Sequence, residues 1–178
     1  MLKKFSIAVL VVVALPFIIA LFVQKEYSVV TQITIDKPVA EVFDYVKHLK
    51  NQDNFSVWAQ MDPDMVKSYR GTDGTVGFVS RWESQLEDVG VGEQEIMRIN
   101  EGKRIDFELR FFSPFESTDP AFMSTEALAA NQTLVQWGFD GHLDYPMNLM
   151  FLFLDFETMI GNDLNQGLKQ LKQQLESQ

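Results

Sequence analysis

The chain has 178 residues, with 15 Lys and Arg against 25 Asp and Glu, a formal charge of −10, two histidines and no cysteine. Without cysteine there is no disulfide, thiolate nucleophile or thiolate metal site, and His48 and His142 are too few and too far apart for a histidine-rich metal cluster. An acidic surface repels phosphate backbones, which sets nucleic acid aside as a partner.

Residues 5–23 carry no charge, and Lys3 and Lys4 precede them. A helix needs about 20 apolar residues to cross a bilayer core, so this run predicts one N-terminal transmembrane helix. The division that follows is an anchor over residues 1–25 and a single domain over 26–178. A cleaved secretory signal is the rival reading, but signal cores run about 7–15 residues and end in small side chains. Here the run is longer, and its exit is Leu21-Phe22-Val23, so the anchor is preferred. Pro16 is tolerated in a membrane helix where the freed carbonyl finds another partner. Lys3, Lys4 and the terminal amine lie before the run, whereas Lys25 is offset at once by Glu26. The positive-inside rule then leaves the N-terminus in the cytoplasm. In a bacterium the chain would be a single-pass inner-membrane protein with its domain on the periplasmic side. The domain is acidic, so the helix and not surface charge would hold it at the membrane.

Tyr27 to Ile35 is rich in β-branched residues, with Val29, Thr31, Ile33 and Ile35 on one face, and reads as a strand. Asp36 and Pro38 give a helix start, and Val39, Val42, Phe43, Val46 and Leu49 recur at helical spacing. Asn51 to Ala59 reads as a short second helix or turn. From Met65 to Leu143 the chain is strand-like, broken by turn signals at Asp73-Gly74, Asp88 to Gly92, Asn100 to Lys103 and Asn131-Gln132. Phe78/Ser80/Trp82, Ile105/Phe107/Leu109/Phe111 and Val135/Trp137/Phe139 alternate with polar neighbours, the pattern of a sheet with one wet and one buried face. Met147 to Phe156 is almost wholly apolar but too short to span a bilayer, and is expected to be buried in the domain or against something. Ile160, Leu164, Leu168, Leu171 and Leu175 then form the apolar stripe of a long terminal helix.

This order of elements, taken with particular positions, resembles the START-like superfamily (SRPBCC), most of all its bacterial branch of polyketide cyclase/dehydrase and lipid-transport-like proteins. The positions are Ile35-Asp36-Lys37-Pro38 running into Glu41-Val42-Phe43-Asp44-Tyr45-Val46, Trp58 with Met61-Asp62-Pro63, and Gly71 to Gly77 leading to Trp82. Gly90-x-Gly92-x-x-Glu95-Ile96 and Thr133-x-Val135-x-Trp137 complete the likeness, which covers residues 27–178. The resemblance implies an α+β helix-grip fold, as in the birch-pollen allergen group. In that fold a curved antiparallel sheet wraps a long C-terminal helix, and two short helices close one end. It also implies an apolar cavity between sheet and helix for a lipid, sterol, polyketide or similar molecule.

The 15 Phe, 8 Met and 3 Trp supply material for such a cavity. The plainer reading is that they fill a close-packed core. Candidate lining residues are Trp58 and, on the apolar strand faces, Trp82, Phe107, Phe111 and Trp137. Met150, Phe153, Phe156 and Ile160 stand along the start of the terminal helix, where a cavity mouth would be. Gly161 and Gly167 interrupt that helix, each costing up to ~1 kcal/mol relative to Ala. They are either tolerated surface glycines or points of close approach. Asp140 and His142 share a strand face with Asp144 just beyond, a spacing that suits acid–base work. Alternation puts them on the solvent face, so a structural role is preferred and no catalytic residue is assigned. Gly71, Gly74 and Gly77 do not follow a strand into a helix, so they form no nucleotide loop.

Three functions follow, in order of preference. The first is a membrane-tethered domain that binds a lipid or other apolar small molecule, without metal or cofactor. The second is a non-enzymatic module for a protein partner, which would show an exposed apolar patch. The third is a polyketide cyclase/dehydrase-like enzyme, which would need polar groups converging in the cavity.

Overall fold

The computed structural model describes the backbone of residues 2–177 and the side chains of residue 10 and of 12–177. Helix α1 covers Leu2–Ala20 and is followed by strand β1, Glu26–Ile35. Helix α2 (Val39–Lys47), a 3-10 turn (Leu49–Asn54) and the short helix α3 (Val57–Met61) come next. Six further strands succeed one another: β2 (Val66–Arg70), β3 (Val79–Glu83), β4 (Val91–Asn100), β5 (Arg104–Ser113), β6 (Ser117–Ala129) and β7 (Gln132–His142). A second 3-10 turn (Met147–Leu152) leads into helix α4, Phe156–Glu176.

All seven strands form one antiparallel sheet in the order β1-β7-β6-β5-β4-β3-β2. β1 thus closes on the last strand, and the run from β2 to β7 is a simple meander. Register irregularities interrupt the β4–β5 ladder between Val91 and Gly92 and between Ile96 and Arg98. Extra residues of this kind bend a strand and raise its twist, which helps the sheet to curve.

The register assigns every inward side chain. Across the sheet, Thr31, Trp137, Met123, Ile105 and Ile99 follow one another toward one end. Tyr27 on β1 and Gly141 on β7 are opposite each other toward the other end, as are Phe111, Gly92 and Trp82 on β5, β4 and β3. The second is the end at which β1 begins, and α1 enters the domain there.

Helix α4 starts where Asp155 caps it, its carboxylate accepting from the Thr158 N–H at 3.0 Å and the Thr158 hydroxyl at 2.7 Å. It then runs alongside β1 in the same direction. Phe156 meets Tyr27, Gly161 faces Val29, Lys172 donates to the Thr34 carbonyl at 2.7 Å, and Glu176 accepts from the Asp36 N–H at 2.7 Å. The stripe expected from the sequence is the buried one: Leu164, Leu168, Leu171 and Leu175 are inside, with Ile160 partly so. Each fully buried leucine contributes about 1.5–3 kcal/mol. With them lie Val42, Phe43 and Val46 of α2, Phe55, and the inward side chains of β1 and β4 to β7. Asp73 ties the β2–β3 turn to this core by accepting from the Leu49 N–H at 2.8 Å, and its other oxygen accepts from the Lys50 N–H at 3.3 Å.

Two expectations change. The run Met147–Phe156 is not buried as a whole: Asn148 is fully inside, but Leu152, Phe153 and Leu154 are exposed. Met150 and Phe153 also precede α4, because the Asp155 cap sets its first turn later. As for the membrane, no helix among the described residues is long and apolar enough to cross one. The spanning helix expected over residues 5–23 falls in part on side chains, those of 2–9 and 11, that lie outside the described residues. The described part of α1 is apolar and mostly exposed, from Leu10 to Ile19.

Candidate functional site

The inner face of the sheet divides into two zones. Toward the turns between β4 and β5 and between β6 and β7 it is fully packed: Ile96, Ile105, Phe107, Met123 and Val135 are buried under α2 and α4. Toward the α1 end its side chains are only half covered. Trp82 on β3, Leu109 and Phe111 on β5, and Phe139 on β7 are each half-buried. Trp82 and Phe111 meet edge to face with ring centroids 6.0 Å apart, beyond the main core cluster. The indole packs against Gly92 of β4, whose absent side chain leaves the space it occupies, and its Nε1 donates to the Val89 carbonyl at 3.2 Å.

Helix α3 bridges this zone. On one side Trp58 stands edge-on to Trp137, centroids 6.5 Å apart, next to a second edge contact between Trp137 and Phe55 at 5.6 Å. On the other side Asp62, just past the helix, accepts from the Ser84 hydroxyl at the end of β3 at 2.5 Å. α3 thus touches β7 through Trp58, and the residue that follows it reaches the end of β3. This half-buried aromatic stretch of the inner face, beside α3 and toward the α1 end of the sheet, is the candidate cleft.

Polar groups at the cleft are few. Gln94 on β4 points inward between Ser80 and Leu109 in register, and is half-buried. Tyr27 packs against Phe139, Phe151 and Phe156 and covers Gly141. Burial pushes its hydroxyl pKa up to about 12, with the Asp119 charge adding to the effect. Asp119 is itself buried and accepts from the His142 N–H at 3.1 Å. Its imidazole neighbour, His142, lies 3.7 Å from Asp119 and 3.2 Å from Asp144. The pairing of His142 with Asp140, suggested by spacing along one strand, does not form. Asp140 instead accepts from the Ser28 hydroxyl on β1 at 2.5 Å. These contacts tie β1 to β7 and β6 to the end of β7. Among the described residues, no group of His, Asp and Glu side chains is placed to hold a metal.

The structure therefore sorts the residues singled out from sequence. Phe107 and Trp137 belong to the core. Trp58, Trp82 and Phe111 bound the cleft, and Ile160 lies half-buried on α4 against the core. Met150, Phe153 and Phe156 lie in or beside the approach to α4, where a surface groove of about 390 Å³ is lined by Gln24 and residues 151–157. A second groove, about 430 Å³, lies at the opposite end among Val39, Lys103, Ser124, Leu134 and Gln136, and contains none of the predicted residues. Sequence reasoning missed Gln94, Leu109, Asp119 and Tyr27 as neighbours of the site. Only the register of β4, β5 and β6 brings them there.

The outer face is different in kind. Arg110 reaches Glu93, Glu95 and Glu108 at 2.7, 2.6 and 2.5 Å. The hydrogen bond to Glu95, with those to Glu93 and Glu108, outweighs burial and holds the guanidinium charged. This side is wet and ion-paired, whereas the inner face is apolar.

Solved structures with the same architecture are numerous. The allergen-type protein Ara h 8.0201 superposes with a TM-score of 0.58 at 14% identity, over 86% of this chain and 99% of its own. Protein MLL2253 from Mesorhizobium loti gives 0.59 at 12% identity, over 85% and 98%. DynU16, from the dynemicin biosynthetic locus, gives 0.57 at 14% identity over 84% of this chain but only 47% of its own, so this chain spans about half of it. The fold is the helix grip. At these identities the likeness is one of fold alone. No protein-family model matches the chain. No curated protein is significantly similar to it.

Proposed function

We propose that this chain is a membrane-tethered helix-grip domain that takes up a lipid or other apolar small molecule between its sheet and α4. The observation that supports this most is the split of the inner face. A complete core already stabilises the domain, yet Trp82, Leu109 and Phe111 remain half-buried on the same face beside α3. Apolar surface released from water contributes about 25 cal/mol per Å², so these rings favour an apolar guest. Gln94 and the Tyr27 hydroxyl are the polar groups available to orient it, the pattern of a small-molecule site. Trp58, Trp82 and Phe111 are the lining residues, and Phe139 joins them. The reading needs no metal or cofactor and assigns no catalytic residue.

The tether is the apolar helix α1, with the N-terminus in the cytoplasm and the domain on the far side of the inner membrane. A reporter fused after Gln178 should be active only outside the cytoplasm, and activity only inside would reverse the orientation. For the cargo, the full chain extracted from its own host should release a defined apolar molecule in native mass spectrometry. Preparations that are empty every time would overturn the binding reading.

A further inference from the structure

We infer that the end of the domain from which α1 departs is itself a membrane-docking surface, seated directly on the lipid bilayer so that the mouth of the cleft opens onto it. This rests on the tethered reading above and adds a second contact to it.

The strand register places several loops at one end of the sheet. They are the α1–β1 connection, the β3–β4 and β5–β6 loops, and the segment from His142 to α4. Exposed large apolar side chains gather on these loops. Phe22 is 84% exposed, Phe153 83%, Leu152 55% and Phe115 54%, with Leu86 also exposed. At the opposite end the turns carry Gly71 to Asp73, Glu101 to Lys103 and Asn131, and Val76 is the large apolar exception among the described turn residues. Such a gathering of apolar tips from separate loops, all at one end, marks a binding surface and not scattered exposure.

Two features identify lipid as the occupant. The surface is continuous with the apolar helix α1, whose described side chains are exposed along its length. The helix is also fixed to the surface: the buried Asn148 Nδ2 donates to the Ala20 carbonyl at 2.7 Å and the Val23 carbonyl at 3.0 Å. This clamp satisfies carbonyls at the helix end and sets Phe153 and Leu152 beside the point where α1 leaves. Whatever medium surrounds the last turn of α1 therefore meets these side chains too. Asp144, Asp155 and Glu157 flank them, so attraction to anionic headgroups does not drive the contact; insertion of aromatic and aliphatic tips does. Trp82 and Phe111 lie at this same end, which places the cleft mouth against the bilayer.

The cysteine-free chain allows a direct test. The full chain carrying Leu152→Cys, Phe115→Cys or Asn131→Cys is spin-labelled and reconstituted in pure phosphatidylcholine vesicles. Relaxation by dissolved oxygen and by a water-soluble nickel chelate then reports the depth of each label. Labels at 152 and 115 should be oxygen-dominated and insensitive to salt, and the label at 131 should be nickel-dominated. Adding Phe153→Asp to the Leu152→Cys chain should return its label to water while the protein stays in the vesicle fraction. Hydrated labels at all three positions in vesicle-bound protein would overturn the docking surface, leave the tether standing and assign the patch to a protein partner. Protein that fails to remain with the vesicles at all would overturn tether and docking together.

Discussion

Trp137 on β7 and Gly167 on α4 meet with no room for a methyl group between them. A Cβ at Gly167 would lie 2.8 Å from Cζ3 of the indole and 3.1 Å from the Phe55 carbonyl oxygen. The indole is buried and braced by Phe55 and Trp58, so it cannot swing aside. Gly167→Ala gains up to ~1 kcal/mol in helix propensity, but overpacking of a core costs about 1–3 kcal/mol, and sterics should win. Chemical denaturation should show net destabilisation. Gly161→Ala faces only a Val29 methyl at 3.3 Å and should cost less. Equal stability of the two variants would show that the Trp137 contact does not limit the approach of α4.

Asn148 is the hinge pin between α1 and the domain. Replacing it with Ala leaves the Ala20 and Val23 carbonyls without their donor, and a buried unsatisfied group costs about 1–3 kcal/mol. Asn148→Asp is expected to be worse, because a carboxylate cannot donate to a carbonyl. Hydrogen exchange across residues 20–26 should quicken in both variants while the β5–β7 core keeps its protection. Unchanged exchange at the α1–β1 junction would mean the clamp carries no load.

Trp82 is held in the cleft by the glycine beneath it. A Cβ at Gly92 would lie 2.5 Å from Cζ2 of the indole and 2.8 Å from the Arg110 carbonyl. Gly92→Ala should therefore destabilise the sheet by about 1–3 kcal/mol and displace the indole. Trp82→Ala should leave the fold largely intact, because Trp82 stands outside the main core, yet weaken binding of an apolar fluorescent probe several-fold. Probe binding that survives Trp82→Ala unchanged would move the cleft elsewhere.

Much of this was legible before the structure. Period-2 alternation gave the inward faces of β5 and β7, and the leucine stripe gave the buried face of α4, because burial and periodicity are one constraint. The turn at Ser113 to Glu116 was not read, although Ser113-Pro114 is a turn signal, because the aromatics on both sides mask it. Its omission hid the register of β6, and with it the approach of Asp119 to Tyr27. Spacing along one strand offered Asp140 as a neighbour of His142, whereas cross-strand register supplies Asp119. The exposure of Phe153 was likewise invisible, since an apolar run states only that it avoids water and not what covers it. Whether Gly167 is a surface glycine or a contact depends on a residue 30 positions away, which local pattern cannot report.

The charge on Asp163 is a standing cost that can be removed. Burial on α4 raises its pKa above the ordinary 3.8. An acid with a raised folded pKa binds its proton more tightly in the native state, so stability is greatest at low pH and declines as pH rises through the folded value. Above that value the whole penalty is present. Asp163→Asn keeps the shape and removes the charge, so the variant should unfold at a higher temperature than the parent at pH 7. The gain should shrink below about pH 3.8, where the parent carboxyl is protonated as well. A gain of the same size at both pH values would trace to helix propensity or packing, and the burial of the charge would then not be what limits α4.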